Sequence, residues 1–229
     1  MNRNYTAFCA AMLAFAILLV FCGSFWSDDR SFSLAEENVV KTVYLTFDDG
    51  PSDRVTPKVL DVLKEENVKA TFFIIGKQAE TRKYILEREK REGHTVAVHS
   101  YSHVYSQIYS SPADLLKDID KCNEVIKDAT GNYSKVYRFP GGSFGLSERL
   151  KNAVEEHGLR YVDWNASTRD AEILGATPYQ LYREAVATAA GADNVVLLAH
   201  DSTTKTATAE ALKSIIRHFK DNGYVFKSF

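Results

Sequence analysis

The chain has 229 residues, of which 45% are hydrophobic and 25% are charged, a composition that suits one globular domain with a full core. Its formal net charge is −2, and no cluster of lysine and arginine stands out. Proteins that bind nucleic acids need a basic surface, so we expect no nucleic-acid partner.

The N-terminal segment is apolar and carries no charge from Tyr5 to Ser27. This length reaches the roughly 20 residues at which a transmembrane helix becomes possible. Arg3 precedes the segment and two aspartates follow it, so the positive end should stay in the cytoplasm while the rest crosses. Residues 1–35 are therefore predicted to be either a signal peptide or a membrane anchor. The folded domain, residues 36–229, is expected outside the cytoplasm.

Beyond this segment, strand-like runs rich in β-branched and aromatic residues alternate with amphipathic helical patterns. Pairs of a hydroxyl residue and proline predict three helix starts, at Thr56-Pro57, Ser111-Pro112 and Thr177-Pro178. Gly131 and Gly223 predict helix ends. The seven predicted strands are Val39–Phe47, Ala70–Ile75, Thr95–His99, Lys135–Phe139, Arg160–Trp164, Val195–His200 and Tyr224–Phe229.

Strict alternation of strands and helices predicts an α/β fold with a parallel sheet and right-handed crossovers. Seven repeats without a dinucleotide-binding glycine fingerprint favour a (β/α) barrel over an open sheet. Cys122 falls on an apolar stripe at helical spacing and is expected to be a small buried hydrophobic residue. In such a fold the chemistry should lie at the C-terminal ends of the strands.

The first predicted strand ends in two carboxylates, Asp48 and Asp49, and a later strand end supplies His99 and His103. One carboxylate and two imidazoles suffice to hold a divalent metal and leave one coordination position open for water, as in a hydrolytic site. The second carboxylate would be free to move protons. Neighbouring strand residues point to opposite faces, so both carboxylates can share a site only if regular strand geometry ends there. Gly50-Pro51 is expected to provide that break.

Each of these features also has an ordinary structural explanation. Asp-Asp-Gly-Pro is a common turn composition, and a pair of histidines often lies on a surface or in a core. The metal-site interpretation is preferred because a third histidine, His200, ends another predicted strand.

Four segments, in order and approximate spacing, resemble the motifs of the polysaccharide deacetylases of carbohydrate esterase family 4. They are Thr46–Gly50, His99–His103, Arg138–Gly142 and Leu197–His200, and the resemblance spans about residues 41–229. It implies a single-domain distorted (β/α) barrel of about seven parallel strands. It also implies a divalent metal, usually Zn²⁺ with Co²⁺, Ni²⁺ or Mn²⁺ as alternatives, and removal of acetyl groups from sugars.

Carried over by residue, the resemblance makes Asp49, His99 and His103 the metal ligands and Asp48 the general base. Arg138 would orient Asp48 and hold it ionised. The acid that protonates the departing sugar amine would be His200. For the carboxylate beside His200, the sequence leaves two candidates open, with Asp170 preferred over Asp163.

The resemblance also implies substrate contacts. The backbone N–H of Gly141 would stabilise the oxyanion together with the metal, Leu198 would form the wall of the acetyl methyl pocket, and Trp164 is placed among the substrate-binding residues. The position of Gly141 is often aromatic in the family, so the substrate surface is expected to be more open here.

The leading functional hypothesis is an exported or membrane-anchored N-deacetylase of a GlcNAc polymer, with peptidoglycan preferred because the domain is predicted to be exported. Chitin oligomers, acetylated xylan, exopolysaccharide and muramic acid residues are alternative substrates. A catalytically silent surface glycan-binding protein and a metalloamidase acting on peptides are the competing classes. The expected partners are an acetylated polysaccharide and, if the N-terminal segment is not cleaved, the membrane.

Overall fold

The computed structural model describes residues 40–229. The predicted signal peptide or anchor, residues 1–35, lies outside the described residues. Among the helices of residues 40–229, none combines the length and apolar character that a membrane span requires.

Strands and helices alternate along the chain as the sequence predicts. The strands are β1 (Thr42–Gly50), β2 (Thr71–Ile75), β3 (Thr95–Ser100), β4 (Val136–Tyr137), β5 (Arg160–Tyr161), β6 (Ala166–Ser167), β7 (Asn194–His200) and β8 (Val225–Lys227). The helices are α1 (Thr56–Glu65), α2 (Gly76–Ala79), α3 (Lys83–Arg91), α4 (Tyr105–Ile108), α5 (Pro112–Thr130), α6 (Glu148–Glu156), α7 (Pro178–Ala189) and α8 (Thr206–Asp221).

The strands form one sheet in the order β5-β4-β3-β2-β1-β7-β6, and β8 pairs with the beginning of β1. Every pairing is parallel. The seven strands of this path curl into a half-barrel, and the predicted distorted (β/α) barrel is confirmed. The two end strands of the path, β5 and β6, do not pair with each other within residues 40–229, so the sheet is open between them.

The predicted strand Arg160–Trp164 is wrong in its extent. Pairing with β4 stops at Tyr161, and a separate strand, β6, begins at Ala166 and pairs with β7 at the opposite end of the sheet. The segment between them crosses from one end of the sheet to the other. Residues 162–165 form this segment and belong to no strand of the described structure, and Trp164 is one of them.

The helix starts agree with two of the three hydroxyl–proline predictions. Ser111 caps α5 by accepting from the Asp114 N–H, and Thr177 forms a capping box with Gln180 at α7. Thr56 was predicted to be an N-cap, which is wrong, because α1 already includes it and its hydroxyl instead donates to a carboxylate 145 residues away. A tertiary hydrogen bond has replaced the local one.

Helix α5 packs against the sheet through the predicted apolar stripe. Cys122 is fully buried on this stripe, and its Sγ–H donates to the Ile74 carbonyl at 3.3 Å. Burial raises the pKa of the thiol to about 12, so it stays protonated. The prediction of a small buried hydrophobic residue at this position is confirmed. At the end of α5, Gly131 adopts the left-handed conformation of a helix C-terminus.

Candidate active site

The end of β1 brings two adjacent carboxylates to one site through a change of backbone conformation. The register with β2 shifts between Asp48 and Gly50, and Asp49 has a φ of 70°. As a result, Asp48 Oδ2 lies 4.0 Å and Asp49 Oδ1 3.5 Å from His99 Nε2. Regular strand geometry therefore ends as predicted, but at Asp49, one residue before the predicted break at Gly50-Pro51. Aspartate is among the non-glycine residues that adopt this left-handed region most readily.

Three side chains converge in a geometry that fits a divalent metal. Asp49 Oδ1 lies 3.5 Å from His99 Nε2 and 3.3 Å from His103 Nε2, and all three ligand atoms lie within 4.8 Å of one another. Within residues 40–229, Asp49 Oδ1 is a buried oxygen without a hydrogen-bond donor. His99 Nδ1 donates to the Arg138 carbonyl at 2.9 Å, which fixes the tautomer and leaves the Nε2 lone pair facing Asp49. Two imidazole nitrogens and one carboxylate suit Zn²⁺ and similar cations.

The electrostatic environment favours the ligating forms of these groups. Burial alone would raise the pKa of Asp49, but the adjacent imidazoles of His99, His200 and His103 hold it far below its usual range. Burial and the neighbouring His99 lower the pKa of His103. An ionised carboxylate and a neutral imidazole are the forms that bind a metal.

Asp48 is held by a buried guanidinium. Arg138 is fully buried, and its Nη1 donates to Asp48 Oδ1 at 2.9 Å and to Thr46 Oγ1 at 2.8 Å. Its Nε and Nη2 donate to the carbonyls of Val162 and Asp163 at 3.1 and 3.2 Å. The buried charge is thus paired and hydrogen-bonded on several sides, as a buried ion pair requires. This contact fixes one oxygen of Asp48 and leaves the other toward His99.

His200 is paired with Asp170, the preferred of the two candidates from the sequence. His200 Nδ1 lies 2.7 Å from Asp170 Oδ1, and the backbone N–H of His200 donates to Asp170 Oδ2 at 2.9 Å. Thr208 Oγ1 donates to the same Oδ2 at 2.7 Å. The carboxylate of Asp163 instead accepts from the backbone N–H and the hydroxyl of Ser143.

The contact between His200 and Asp170 changes the acidity of both groups. Burial would lower the pKa of His200, but the hydrogen bond and charge of Asp170 outweigh it and raise the pKa to about 9. Burial would raise the pKa of Asp170, and the hydrogen bond and charge of His200 lower it. The imidazole is therefore protonated near neutral pH, which suits a proton donor.

Asp201 connects β7 to the segment after β1, a role that the sequence did not predict. It is fully buried, its Oδ2 accepts from Thr56 Oγ1 at 2.5 Å, and its backbone N–H donates to the Asp48 carbonyl at 3.2 Å. Ser52 Oγ donates to the Asp201 carbonyl at 2.7 Å. A Cβ on Gly50 would lie 2.4 Å from both carboxyl oxygens of Asp201, so only glycine fits there. Burial raises the pKa of Asp201 to about 7.

Leu198 belongs to the same face of β7 as His200. In the register of β7 with β1, Leu198 lies opposite Thr46 and His200 lies opposite Asp48. Because side chains alternate along a strand, the buried Leu198 is on the side of the sheet that carries Asp48 and His200.

Gly141 and Trp164 lie around the Arg138 side of the site. Gly141 is exposed with a φ of 77°, and a Cβ there would lie 3.1 Å from the Tyr105 hydroxyl. The Trp164 ring lies 5.6 Å from the Arg138 guanidinium carbon and contacts Phe144 edge to face, with ring centroids 5.8 Å apart. Phe144 is 67% exposed and was not identified from the sequence. Its exposure beside the site is visible only in the fold.

The model of the polysaccharide deacetylase family matches residues 35–162. The chain belongs to this family. Its members are hydrolytic deacetylases, and the resemblance found in the four sequence segments is confirmed.

Curated relatives match most of this chain. YheN of Bacillus subtilis is 35% identical over 81% of the chain and 66% of its own length. A peptidoglycan N-acetylglucosamine deacetylase of Bacillus cereus is 31% identical over 82% of the chain and 69% of its own length. The peptidoglycan N-acetylmuramic acid deacetylase PdaA of B. subtilis is 34% identical over 82% of the chain and 70% of its own length. The chain thus spans about two thirds of the length of these relatives.

Solved structures share the fold. The catalytic domain of a peptidoglycan N-acetylglucosamine deacetylase from Eubacterium rectale superposes with a TM-score of 0.77 at 38% identity, covering 82% of this chain and 88% of that one. A family 4 acetyl xylan esterase from Clostridium thermocellum, solved with a cobalt ion, gives a TM-score of 0.73 at 33% identity. The match covers 82% of this chain and 88% of the esterase chain. The chain therefore has the fold of these enzymes over most of its length.

Replacing Asp170 by asparagine should lower the pKa of His200. The protonated imidazole is present below its pKa of about 9 and is lost above it. Without the carboxylate, burial remains and favours the neutral imidazole, so loss of activity on the alkaline side should begin at lower pH. The pH dependence of kcat/KM and an NMR titration of His200 measure this shift. Asp163→Asn is the matched control and should leave the titration unchanged; equal curves for wild type and Asp170→Asn would contradict the assignment.

Proposed function

We propose that this protein is a metal-dependent hydrolase that removes N-acetyl groups from a GlcNAc-containing polysaccharide, with peptidoglycan as the substrate. One observation carries the proposal: Asp49, His99 and His103 form a ligand cluster with a second carboxylate, Asp48, beside it. The relatives named as peptidoglycan N-acetylglucosamine deacetylases support the choice of glycan.

The proposed metal ligands are Asp49, His99 and His103, and Zn²⁺ is the proposed cation. The mixed nitrogen and oxygen donor set favours zinc, and Co²⁺, Ni²⁺ and Mn²⁺ are the alternatives. When bound, such a cation supplies Lewis-acid polarisation and makes water a stronger acid.

Asp48 is the proposed general base. Arg138 occupies its Oδ1, so Oδ2, which faces His99, is the oxygen that can accept a proton from the attacking water. The backbone N–H of Gly141 is proposed to donate to the oxyanion that develops from the acetamide carbonyl. The chain thereby supplies a base and an oxyanion donor from two different strand ends.

His200 is the proposed general acid. Its Nδ1 is held by Asp170, so Nε2 is the atom that can deliver a proton to the departing sugar amine. An amine is a poor leaving group unless it is protonated, and the raised pKa of His200 keeps this proton available near neutral pH. Leu198, on the same face of β7, is proposed to line the pocket of the acetyl methyl group.

The metal and base assignments predict different losses in two variants. His99→Ala should lose bound metal and acetate release together. Asp48→Asn should keep the metal and slow turnover by on the order of 10²–10⁴-fold, because only the proton acceptor is removed. Metal content by mass spectrometry and acetate release from peptidoglycan fragments, chitin oligomers and acetylated xylan measure both effects.

Several results of this assay would overturn the assignments or the substrate. Equal metal loss in both variants would refute the assignment of His99 as a metal ligand and Asp48 as the general base. Binding of glycans without acetate release would indicate a silent glycan-binding protein, and cleavage of peptide amides alone would indicate an amidase. Acetate released from muramic acid residues only, or from chitin or xylan only, would replace the proposed substrate.

Phe144 and Trp164 are proposed to bind a sugar ring next to the reacting residue. The exposed Phe144 ring contacts the half-buried Trp164, which lies beside Arg138, the residue that holds the proposed base. Aromatic faces pack well against the apolar faces of pyranose rings, and an exposed aromatic ring at a site indicates ligand contact.

Phe144→Ala should raise KM for oligomeric substrate by roughly 2- to 10-fold while kcat stays within a factor of about two, because the ring contacts substrate away from the reacting bond. Steady-state kinetics on a GlcNAc oligomer measure both constants. Tyr179→Ala removes a second aromatic ring that is also 67% exposed, on α7, and should leave KM unchanged. An unchanged KM in Phe144→Ala would remove this residue from the substrate site.

We also propose that the domain works outside the cytoplasm, either released or anchored by residues 1–35. The charge-free segment with Arg3 before it supports this orientation. In cells producing the full chain, the domain should be digested by protease added to intact spheroplasts or recovered from the medium. The double variant Leu18→Arg and Leu19→Arg should remain protected inside, and protection of the wild-type chain would contradict the proposal.

A further inference from the structure

The loop that joins His99 to His103 is held by one side chain of α5. Asp118 Oδ2 accepts from Ser100 Oγ at 2.5 Å and from the Tyr101 N–H at 2.7 Å. Its Oδ1 accepts from the Ser102 N–H at 2.9 Å. A single carboxylate therefore receives hydrogen bonds from three consecutive residues between the two histidines.

The same contacts reach the backbone of His103. Ser100 Oγ, which donates to Asp118, also accepts the His103 N–H at 2.9 Å. His103 has a φ of 56°, a left-handed conformation that costs a non-glycine residue roughly 1–3 kcal/mol. Such a conformation persists only when its surroundings determine it. The hydrogen bonds that converge on Asp118 are the contacts that can do so here.

Helix α5 gives Asp118 a fixed position. Its neighbours on the helix, Leu115, Ile119 and Cys122, are fully or nearly fully buried, and Cys122 donates to the Ile74 carbonyl of β2. The carboxylate thus connects the loop to the sheet through a rigid element.

We propose that Asp118 is the positioning residue of the metal site: it holds the loop of Ser100–Ser102 so that His103 presents its imidazole to the cation beside Asp49 and His99. The inference rests on the proposed metal site, and it concerns how that site is preorganised. Residues that orient metal ligands change metal affinity or activity by about 10- to 100-fold when they are replaced.

Asp118→Asn tests this role with a change of nearly the same shape. A carboxylate accepts at both oxygens, whereas an amide has one oxygen and one N–H₂ group. If the amide oxygen keeps the contacts of Ser100 and Tyr101, its N–H₂ group faces the Ser102 N–H, and at least one hydrogen bond is lost. The cost falls on the loop rather than on any ligand atom.

We expect the Kd of the apoprotein for Zn²⁺, measured by competition with a chromogenic chelator, to rise about 10- to 100-fold in Asp118→Asn. Turnover at saturating Zn²⁺ should stay near the wild-type rate, because Asp48 and His200 are untouched. Asp128→Asn is the matched control: Asp128 lies on the same helix, is exposed, and within residues 40–229 its carboxylate pairs only with Lys83. Its Kd should equal that of the wild type.

Ser100→Ala is a second variant, and it removes the hydroxyl that links Asp118 to the His103 backbone. It should weaken Zn²⁺ binding in the same direction, and the double variant with Asp118→Asn should lose less than the sum of the two effects. All Kd measurements are made well below the Tm of each variant, since a role confined to stability would lower Tm and leave the Kd unchanged.

The two proposals fail in different ways. If wild type binds Zn²⁺, His99→Ala loses it and Asp118→Asn keeps the wild-type Kd, the metal site stands and the role of Asp118 is refuted. If wild type binds no Zn²⁺, or His99→Ala binds it as wild type does, the proposed site itself fails and the role of Asp118 fails with it.

Discussion

The site depends on one buried charge, the guanidinium of Arg138. The guanidinium donates to Asp48 at the end of β1 and to two backbone carbonyls that follow β5. The backbone carbonyl of Arg138 accepts from His99 Nδ1 at the end of β3. Removing a buried cation from water is costly, so the chain must surround it with acceptors. Those acceptors come from separate strand ends, and satisfying Arg138 brings the ends together. The same residue thereby sets the direction of Asp48 and the tautomer of His99.

In the half-barrel, the proposed base and the proposed acid differ because two carboxylates have different partners. Asp48 faces a permanent cation, Arg138, whereas Asp170 faces an imidazole, His200, whose pKa it raises to about 9. Asp48 and His200 lie opposite each other in the register of β1 and β7. Adjacent strands thus carry the proposed proton acceptor and the proposed proton donor, the two groups that acid–base hydrolysis requires.

Local patterns predicted much of the fold because they report local physics. The caps at Ser111 and Thr177 depend on residues within one helical turn, and the alternation of buried strands and amphipathic helices was enough to predict the parallel sheet. The choice of Asp170 over Asp163 came from the family resemblance, and its contact with His200 required the structure.

Other features of the fold and the site could not be predicted from the sequence. Some depend on residues that are distant in sequence, and others are too short to produce a recognisable sequence pattern. Thr56 meets Asp201 across 145 positions, so a local capping rule gave the wrong partner. Asp118 occupies a polar position of an amphipathic helix, where an aspartate normally faces solvent, and nothing in the sequence indicates that it contacts the loop between His99 and His103. Strand β6 is only two residues long, below the length at which periodicity carries information.

Two of the three proposed metal ligands lie in left-handed backbone, and each belongs to a segment that other side chains hold. The Asp49 carbonyl accepts from Gln78 Nε2 at 3.2 Å, and Asp201 packs against the neighbouring glycine. The loop of His103 is held from Asp118. The third proposed ligand, His99, lies in β3 at the point where the register with β2 shifts, and its Nδ1 donates to the Arg138 carbonyl. A site built in this way has its strained positions determined before a cation arrives, so binding energy is not spent on ordering the ligands.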